Sequence, residues 1–243
     1  MILRRVIQHV RKQEWTAIAI DLVIVVVGVY IGIQAQAWNV ERENRKIENR
    51  YLLNLHDEIL NIIDDDSDRV AAAQDRLEAL KSVVKQLAGP SEEILLSTDH
   101  CRAIVWSHVY IGRIFVPPTI AELLSTGRLQ LIKNNALRSE MVSFSQAIES
   151  YRQEIADILA DRLILSRAHP QLINLDLQGY EIPACKFEAM SQSPAFINDI
   201  SDNRSRYQGF VETVLVGQQD MRVDLHLSLD DELDISHVDN VSN

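Results

Sequence analysis

The chain has 243 residues, with 24 Lys and Arg against 35 Asp and Glu, so its formal net charge is −11. This length suits one medium domain with an appendage, or two small domains. An acidic chain argues against a nucleic-acid groove, which needs clustered basic residues to replace counterions. Gly (8) and Pro (6) are scarce, which favours long helices. We therefore expect an all-α protein without a nucleic-acid partner.

The charge is unevenly distributed, because the N-terminus is basic. Residues 1–14 hold four basic residues against Glu14 alone, so this segment carries +3 and the remainder −14. Four more basic residues lie between Arg42 and Arg50, so the count of positive charges on the two sides of residues 15–38 is a tie. The N-terminal group is scarcely diluted by acid, and a long acidic domain crosses a membrane largely regardless of nearby charge. We predict a cytoplasmic tail at 1–14 and an extracytoplasmic body.

Residues 15–38 form the segment of the sequence that is able to span a bilayer. It is a run of more than 20 mostly apolar residues, with Trp15 and Trp38 at the ends, where aromatic belts of membrane helices lie. Asp21 lies inside it. A carboxylate costs about 3 kcal/mol at mid-span and less near an end, so it should face a partner, water or the interface.

One face of this predicted transmembrane helix carries small residues. Asp21, Val25, Gly28, Gly32 and Ala35 are spaced by four, three, four and three, so they share a face, called the glycine face below. A GxxxG pair lets two helix backbones approach closely. We predict that this face binds a second copy of the chain or a partner membrane protein. The alternative is that glycine is simply common in transmembrane helices and that Asp21 snorkels to the surface.

The same segment also fits a secretory signal peptide. A basic start and the apolar run from Leu22 to Ile33 precede Ala35-Gln36-Ala37, which resembles a cleavage site. Three features favour an anchor: residues 17–20 extend the apolar run, a discarded peptide has no use for the glycine face, and helix-forming sequence continues beyond the site. Both alternatives send the body across the membrane.

A long charged helix is predicted from Asn39 to the Gly89-Pro90 stop, and about 50 residues would reach on the order of 75 Å. The acidic residues Asp64–Asp66 and Asp68 interrupt its apolar stripe but lack the glycine and terminal glutamate of an EF-hand loop. We interpret them as a solvated helix face, or alternatively as a break into two helices. The apolar positions recur at helical spacing: Leu52, Leu55, Ile59, Ile62, Val70, Ala73, Leu77, Leu80, Val84 and Leu87.

Two short helices are predicted to form an elbow between long ones. Asp99 would cap a helix through Val109, and Thr119-Ile-Ala-Glu122 is a capping box for a second, which ends at Gly127. A second long helix then begins at the cap Asn134 and closes at His169-Pro170, packed against the first long helix. Its positions follow a heptad pattern: Leu137, Met141, Phe144, Ile148, Tyr151, Ile155, Ile158 and Leu165.

The C-terminal part is predicted to be a loop with room for one short strand, followed by a last helix. Ser193-Pro194 gives a cap and a proline at the first helical position. Residues 233–243 are acidic and predicted to be a flexible tail, so residues 39–232 form the helical domain. The residues predicted to face inward are Phe196, Ile200, Tyr207, Phe210, Val214, Met221 and Leu225.

No pattern in the sequence indicates catalysis: there is no GxSxG, P-loop, GxGxxG after a strand, or HExxH. The seven histidines are scattered without the spacing of a metal site. His56-Asp57-Glu58 is the nearest to a ligand cluster, but adjacent residues point apart on a helix. We expect no catalytic residue, no cofactor and no metal.

Cys101 and Cys185 permit a single intramolecular pairing. In an oxidising compartment a disulfide would close a loop of roughly 85 residues and contribute about 4 kcal/mol through the unfolded state. The alternative is two buried thiols that never meet.

Two stretches resemble a family of uncharacterised bacterial single-pass membrane proteins: residues 19–55, "AIDLVIVVVGVYIGIQAQAWNVERENRKIENRYLLNL", and 119–141, "TIAELLSTGRLQLIKNNALRSEM". The family has Asn where this chain has Ala37, and Ser where it has Thr126. The resemblance implies a single-pass inner-membrane protein with a periplasmic domain, and it carries no implication for activity. The matching positions are Asp21, Gln34, Trp38, Asn39, Thr119, Glu122, Leu123, Gly127 and Leu129.

The sequence favours two functions over a third, an envelope enzyme, for which it contains no recognised motif. The first is a structural or interaction subunit, a scaffold or accessory protein in a homo-oligomer or a larger membrane complex. The second is an extracytoplasmic helical bundle that senses a ligand and signals through a partner, because residues 1–14 are too short for an output domain.

Overall fold

The computed structural model describes residues 15–89, 94–175 and 184–236. The predicted basic tail at 1–14 and residues 237–243 of the predicted acidic tail lie outside the described residues, as do the side chains of residues 15–19 and of Asp21. The chain divides into two compact units, Met1–Arg50 and Tyr51–Asn243. Each unit is described by itself.

The N-terminal unit contains the first part of helix α1, Trp15–Ala88. Near its N-terminus α1 is long and apolar enough to cross a membrane, by length and composition. Its large apolar side chains from Ile20 to Val40 are exposed wherever the structure describes them. A signal sequence has the same properties, so both alternatives for residues 15–38 stay open.

The C-terminal unit is an all-α bundle, which confirms the predicted fold class. The rest of α1 is followed by shorter helices and by two-residue strands that pair antiparallel, Ile173 with Cys185 and Asn174 with Ala184. The elements after α1 are α2 (Thr98–Val105), α3 (Pro118–Ser125), a 3-10 turn (Arg128–Leu131), α4 (Asn135–Ala160), α5 (Leu165–Ala168), β1 (Ile173–Asn174), β2 (Ala184–Cys185), α6 (Phe187–Ser191), α7 (Pro194–Gly209), a π-helical segment (Phe210–Val216) and α8 (Gly217–Leu233).

Several helices begin or end at the residue that the local sequence predicts, because one side chain or one backbone angle determines the boundary. Asn134 caps α4 as predicted, because its side chain accepts hydrogen bonds from the backbone N–H groups of Ala136 (3.0 Å) and Leu137 (3.2 Å). Ser193 caps α7 in the same way, with Pro194 in the first turn. Gly127 lies two residues after the end of α3 and stops the helical path there. Its φ of +69° is a left-handed conformation that glycine adopts at little cost.

Three predicted boundaries are wrong. The cap of α2 is Ser97 rather than Asp99, and α2 ends at Val105 rather than Val109. Thr119 lies inside α3, behind Pro118, and does not form a capping box: its backbone N–H and Oγ1 donate to the carboxylate of Glu58 in α1 (3.1 and 2.8 Å). A carboxylate near the first turn is favourable there because of the exposed N–H groups.

The predicted second long helix is also shorter than expected. α4 ends at Ala160, and Leu165 belongs to the separate α5. Leu137, Met141, Phe144 and Ile148 are buried as predicted, whereas Tyr151, Ile155 and Ile158 are only partly buried. As predicted, α4 shares a core with the first long helix, and its backbone also lies close to α8, a second partner that the sequence did not indicate.

The apolar side chains along α1 pack into two separate hydrophobic cores. Every predicted position is buried except Val84, which is half-buried because Val83 faces the core instead. The first core combines Leu52, Leu55 and Ile59 with residues of α3, α4 and α8. The second core begins at Val70 and combines the end of α1 with α2, α5, α7 and the π-helical segment.

A polar layer lies between the two cores. Asp66 of α1 and Arg222 of α8 are both buried and form an ion pair. Arg222 also donates from Nη2 to the carbonyl oxygen of Arg113 (3.0 Å), and its guanidinium lies 6.0 Å from the centre of the Phe115 ring. Burial lowers the pKa of Arg222, while the Asp66 charge acts in the opposite direction. Gln218, one turn before Arg222, is buried in the same layer.

The acidic run in α1 therefore differs from both predictions. α1 continues through it, so the predicted alternative of a break is wrong. Asp64, Asp65 and Asp68 are exposed, as a solvated face requires, but Asp66 is only 6% exposed. The solvated-face interpretation is wrong at this one position, because its partner Arg222 lies far along the chain.

We expect Asp66→Asn to lower the free energy of unfolding by about 3–5 kcal/mol, because it leaves Arg222 buried without a compensating charge. Urea unfolding of the full chain in detergent, followed by circular dichroism, measures this. Asp68→Asn, on the exposed side of the same helix, is the matched control and should change stability by less than about 0.5 kcal/mol. The double variant Asp66→Leu with Arg222→Met should recover most of the loss. Equal effects of Asp66→Asn and Asp68→Asn would contradict the role of the pair.

Candidate functional site

The glycine face of α1 is open along its described length. Val25 is exposed, and a Cβ added at Gly28 or Gly32 would meet nothing within 4 Å. Trp38 at the predicted membrane boundary is also exposed, whereas the side chains of Trp15 and Asp21 lie outside the described residues. Because apolar side chains are exposed all around this segment, the glycine face as a helix-binding surface stays a prediction.

The two cysteines meet in the C-terminal unit. Cys101 in α2 and Cys185 in β2 are joined by a disulfide, with their Cα atoms 5.6 Å apart. Cys101 is buried against the core, so the bond lies under the surface of α2. The bond ties two segments separated by 84 residues. Of the two alternatives from the sequence, the structure has the bonded one.

A groove of about 550 Å³ lies between α1 and α2. It exists because Ala72 and Ala79 of α1 face Ala103 of α2, and these short side chains leave space between the helices. Its polar residues are two arginines and two aspartates, and its aromatic residue is Trp106. The residues lining the groove are Ala72, Asp75, Arg76, Ala79, Asp99, Arg102, Ala103 and Trp106.

Arg76 is held in place on one side of this groove. Its guanidinium lies 5.9 Å from the centre of the Trp106 ring and 5.6 Å from that of Tyr207, within reach of cation–π attraction. Its Nη1 donates to the carbonyl oxygen of Val109 (3.5 Å). On the opposite helix, Arg102 pairs with Asp99 (2.8 Å). The groove thus offers charges of both signs beside an apolar floor.

The segment after α2 contains two titratable side chains held in their neutral forms. Burial raises the pKa of Tyr110 to about 12, and its ring packs edge-on against Phe210. Burial also lowers the pKa of His108, and the positive charges of Arg162 and Arg167 act in the same direction. At neutral pH both side chains therefore contribute packing rather than charge.

Two histidines and one aspartate come together between α1 and α8. Nε2 of His56 lies 3.0 Å from Oδ1 of Asp230, and Nε2 of His226 lies 3.4 Å from Oδ2 of the same carboxylate. The two imidazole rings are 4.9 Å apart between centroids. The prediction that the histidines are scattered is wrong for this pair. The sequence does contain one signal, because His226 and Asp230 are spaced i, i+4 on one helix, but nothing in it points to His56.

No protein-family model, no curated protein and no solved structure matches the chain. The resemblance of residues 19–55 and 119–141 to a bacterial membrane-protein family therefore stays a prediction. What can be said of function follows from the residues and their geometry.

Proposed function

We propose that this protein is a single-pass, membrane-anchored interaction subunit that assembles with copies of itself or with a larger membrane complex of the bacterial inner membrane. The observation that carries the proposal is the GxxxG pair Gly28 and Gly32, open on both residues in an apolar helix long enough to cross a bilayer. The hydrophobic effect does not drive helix association within lipid. Van der Waals packing between closely spaced backbones at small residues stabilises the association instead.

The covalent chemistry of the helical bundle supports one compartment for it. Disulfides persist in oxidising compartments and are rare in the cytosol, where thiols are kept reduced. The Cys101–Cys185 bond therefore supports a periplasmic body. The basic residues of 1–14 support the same orientation, with the N-terminus in the cytoplasm. A bundle outside the cytoplasm, joined to an apolar helix with an open glycine face, supports assembly within the membrane.

The orientation is tested by reporter fusions. Alkaline phosphatase joined after Asn243 should be active, because the enzyme folds only outside the cytoplasm, whereas green fluorescent protein at the same position should stay dark. As an internal control, Cys101 and Cys185 of the fusion should react with a maleimide only after reduction. Fluorescence without phosphatase activity would reverse the orientation. The intact mass of the mature protein, or its N-terminal residue, also distinguishes an anchor from a cleaved signal peptide.

Assembly through the glycine face is tested by native mass in detergent. We expect the full chain to form an oligomer or to purify with a partner, and Gly28→Leu or Gly32→Leu to weaken that association roughly tenfold by preventing close backbone approach. Val26→Leu, about half a turn away on the opposite face, is the matched control and should behave as wild type. A clean monomer without partners, or association unchanged by both glycine substitutions, would contradict the proposal.

The groove between α1 and α2 favours a second function, the sensing of a small ligand. Arg76 and Asp75 on α1 and Arg102 and Asp99 on α2 would recognise a small amphipathic or zwitterionic molecule over the apolar floor and Trp106. Such a ligand would touch both helices at once. It could therefore favour one arrangement of α1 and α2 over another, as sensing requires.

A thermal-shift screen of the full chain against metabolites tests this second function. A ligand at a hundredfold excess over its Kd should stabilise the chain by about 2.7 kcal/mol. Ala72→Phe fills the groove from an exposed position and should abolish the shift. The matched control Ala71→Phe is equally exposed but does not line the groove. A panel without any saturable shift, or a shift that survives Ala72→Phe, would rule out the groove as a sensor.

A further inference from the structure

Ligand atoms of three side chains converge at the interface of α1 and α8. His56 lies on α1, and His226 and Asp230 lie one turn apart on α8, which places both on the same face of that helix. All three offer an atom within 4.8 Å of the others. The cluster is separate from the groove and from the disulfide, and no part of the proposed assembly uses it.

The cluster is largely removed from water. The side chains of His56, Asp230 and His226 are 7%, 12% and 13% exposed. Leu225 and Leu229 of α8 are fully buried in the adjoining core. A carboxylate in such surroundings is costly unless a positive charge and hydrogen bonds compensate it. A cation bound between the three side chains would supply such a charge.

The spacing of the ligand atoms, all within 4.8 Å of one another, is close to that of a tetrahedral metal centre. Zinc binds histidine nitrogen at about 2.0–2.1 Å and carboxylate oxygen at about 2.0–2.2 Å, so tetrahedral ligand atoms lie roughly 3.3–3.5 Å apart. The distances from the Asp230 oxygens to Nε2 of His56 and His226 are 3.0 and 3.4 Å. Both histidines thus present Nε2 towards one carboxylate.

The ring nitrogen of His56 that faces away from Asp230 contacts a carboxylate, as in many metal-binding histidines. Its Nδ1 lies 3.5 Å from Oδ1 of the exposed Asp57. A carboxylate on the far nitrogen orients an imidazole and leaves the lone pair of the other nitrogen for a metal. Both ring nitrogens of His56 therefore face carboxylate oxygens, and a cation bound at Nε2 would also lie beside Asp230.

We propose that His56, His226 and Asp230 bind one divalent transition-metal ion, with zinc as the best match. Two imidazole nitrogens and one carboxylate suit zinc, whereas calcium and magnesium prefer six or more oxygen ligands. Water completes the coordination. The metal would join α1 to α8 across 170 positions of sequence between His56 and His226, in addition to the ion pair at Asp66.

The test uses the full chain in detergent, purified without a histidine tag and stripped of metal by chelation. Zinc titrated against a chromophoric chelator should bind at one ion per chain. At a hundredfold excess of free zinc over Kd the melting temperature should rise by roughly 5 °C. His226→Gln and Asp230→Asn should each weaken binding at least tenfold and remove most of that rise.

His169→Gln is the matched control. His169 is also a buried histidine, with Nε2 2.7 Å from Oδ2 of Asp199, but no second histidine of the described residues joins that pair. Its removal should leave zinc stoichiometry and affinity unchanged. X-ray absorption of the zinc-loaded wild type should show two imidazoles and oxygen ligands without sulfur, and this measurement does not depend on whether any variant folds.

Three results would overturn the metal site. One is a wild-type chain without saturable zinc binding. Another is binding that survives unchanged in both His226→Gln and Asp230→Asn. The last is an absorption spectrum with fewer than two imidazoles or with a sulfur ligand.

Discussion

The ion pair of Asp66 and Arg222 fixes how α1 and α8 align, and the rest of the bundle depends on that alignment. Along α1 the apolar core of Ile59 is followed by Asp66 and then by the core of Val70. The C-terminal helices repeat this order in reverse, with Leu215, then Arg222, then Leu225. A slip of one turn would separate the two buried charges, and breaking a buried ion pair costs several kcal/mol. The pair thus specifies register, whatever its net effect on stability.

Features that depend on neighbours within a turn or two were predictable from the sequence. The cap at Asn134, the start at Ser193-Pro194 and the end at Gly127 each use one side chain or one backbone angle close by. The apolar stripe of α1 was predictable because its period reports a buried face directly. The same period failed for α4, since a repeat shows which face is apolar but not whether the helix continues. Leu165 keeps the spacing although α4 ends at Ala160.

Features that depend on distant partners were not predictable. Asp66 looks like its exposed neighbours in the sequence, and its partner lies 156 residues away. Thr119 fits a capping box by spacing, but the acceptor is Glu58, 61 residues earlier. His56 and Asp230 are separated by 174 residues. The groove was not predictable either, because it forms where alanines of two different helices face each other. An alanine in a helix does not indicate which residue lies opposite it.

The contacts made by α1 decide which candidate sites can act as switches. The metal site at His56 and the ion pair at Asp66 both connect α1 to α8. A metal bound there would further stabilise the arrangement of α1 and α8 that the ion pair already favours, so its role would be structural.

A switch needs two arrangements close in free energy, with a ligand that prefers one. The groove meets that condition better, because its walls at Ala72 and Ala79 have few atoms to repack when α2 shifts. The disulfide permits such a shift, since it holds α2 to β2 rather than to α1. Motion in this bundle is therefore expected between α1 and the pair of α2 with β2, while α1 and α8 stay fixed.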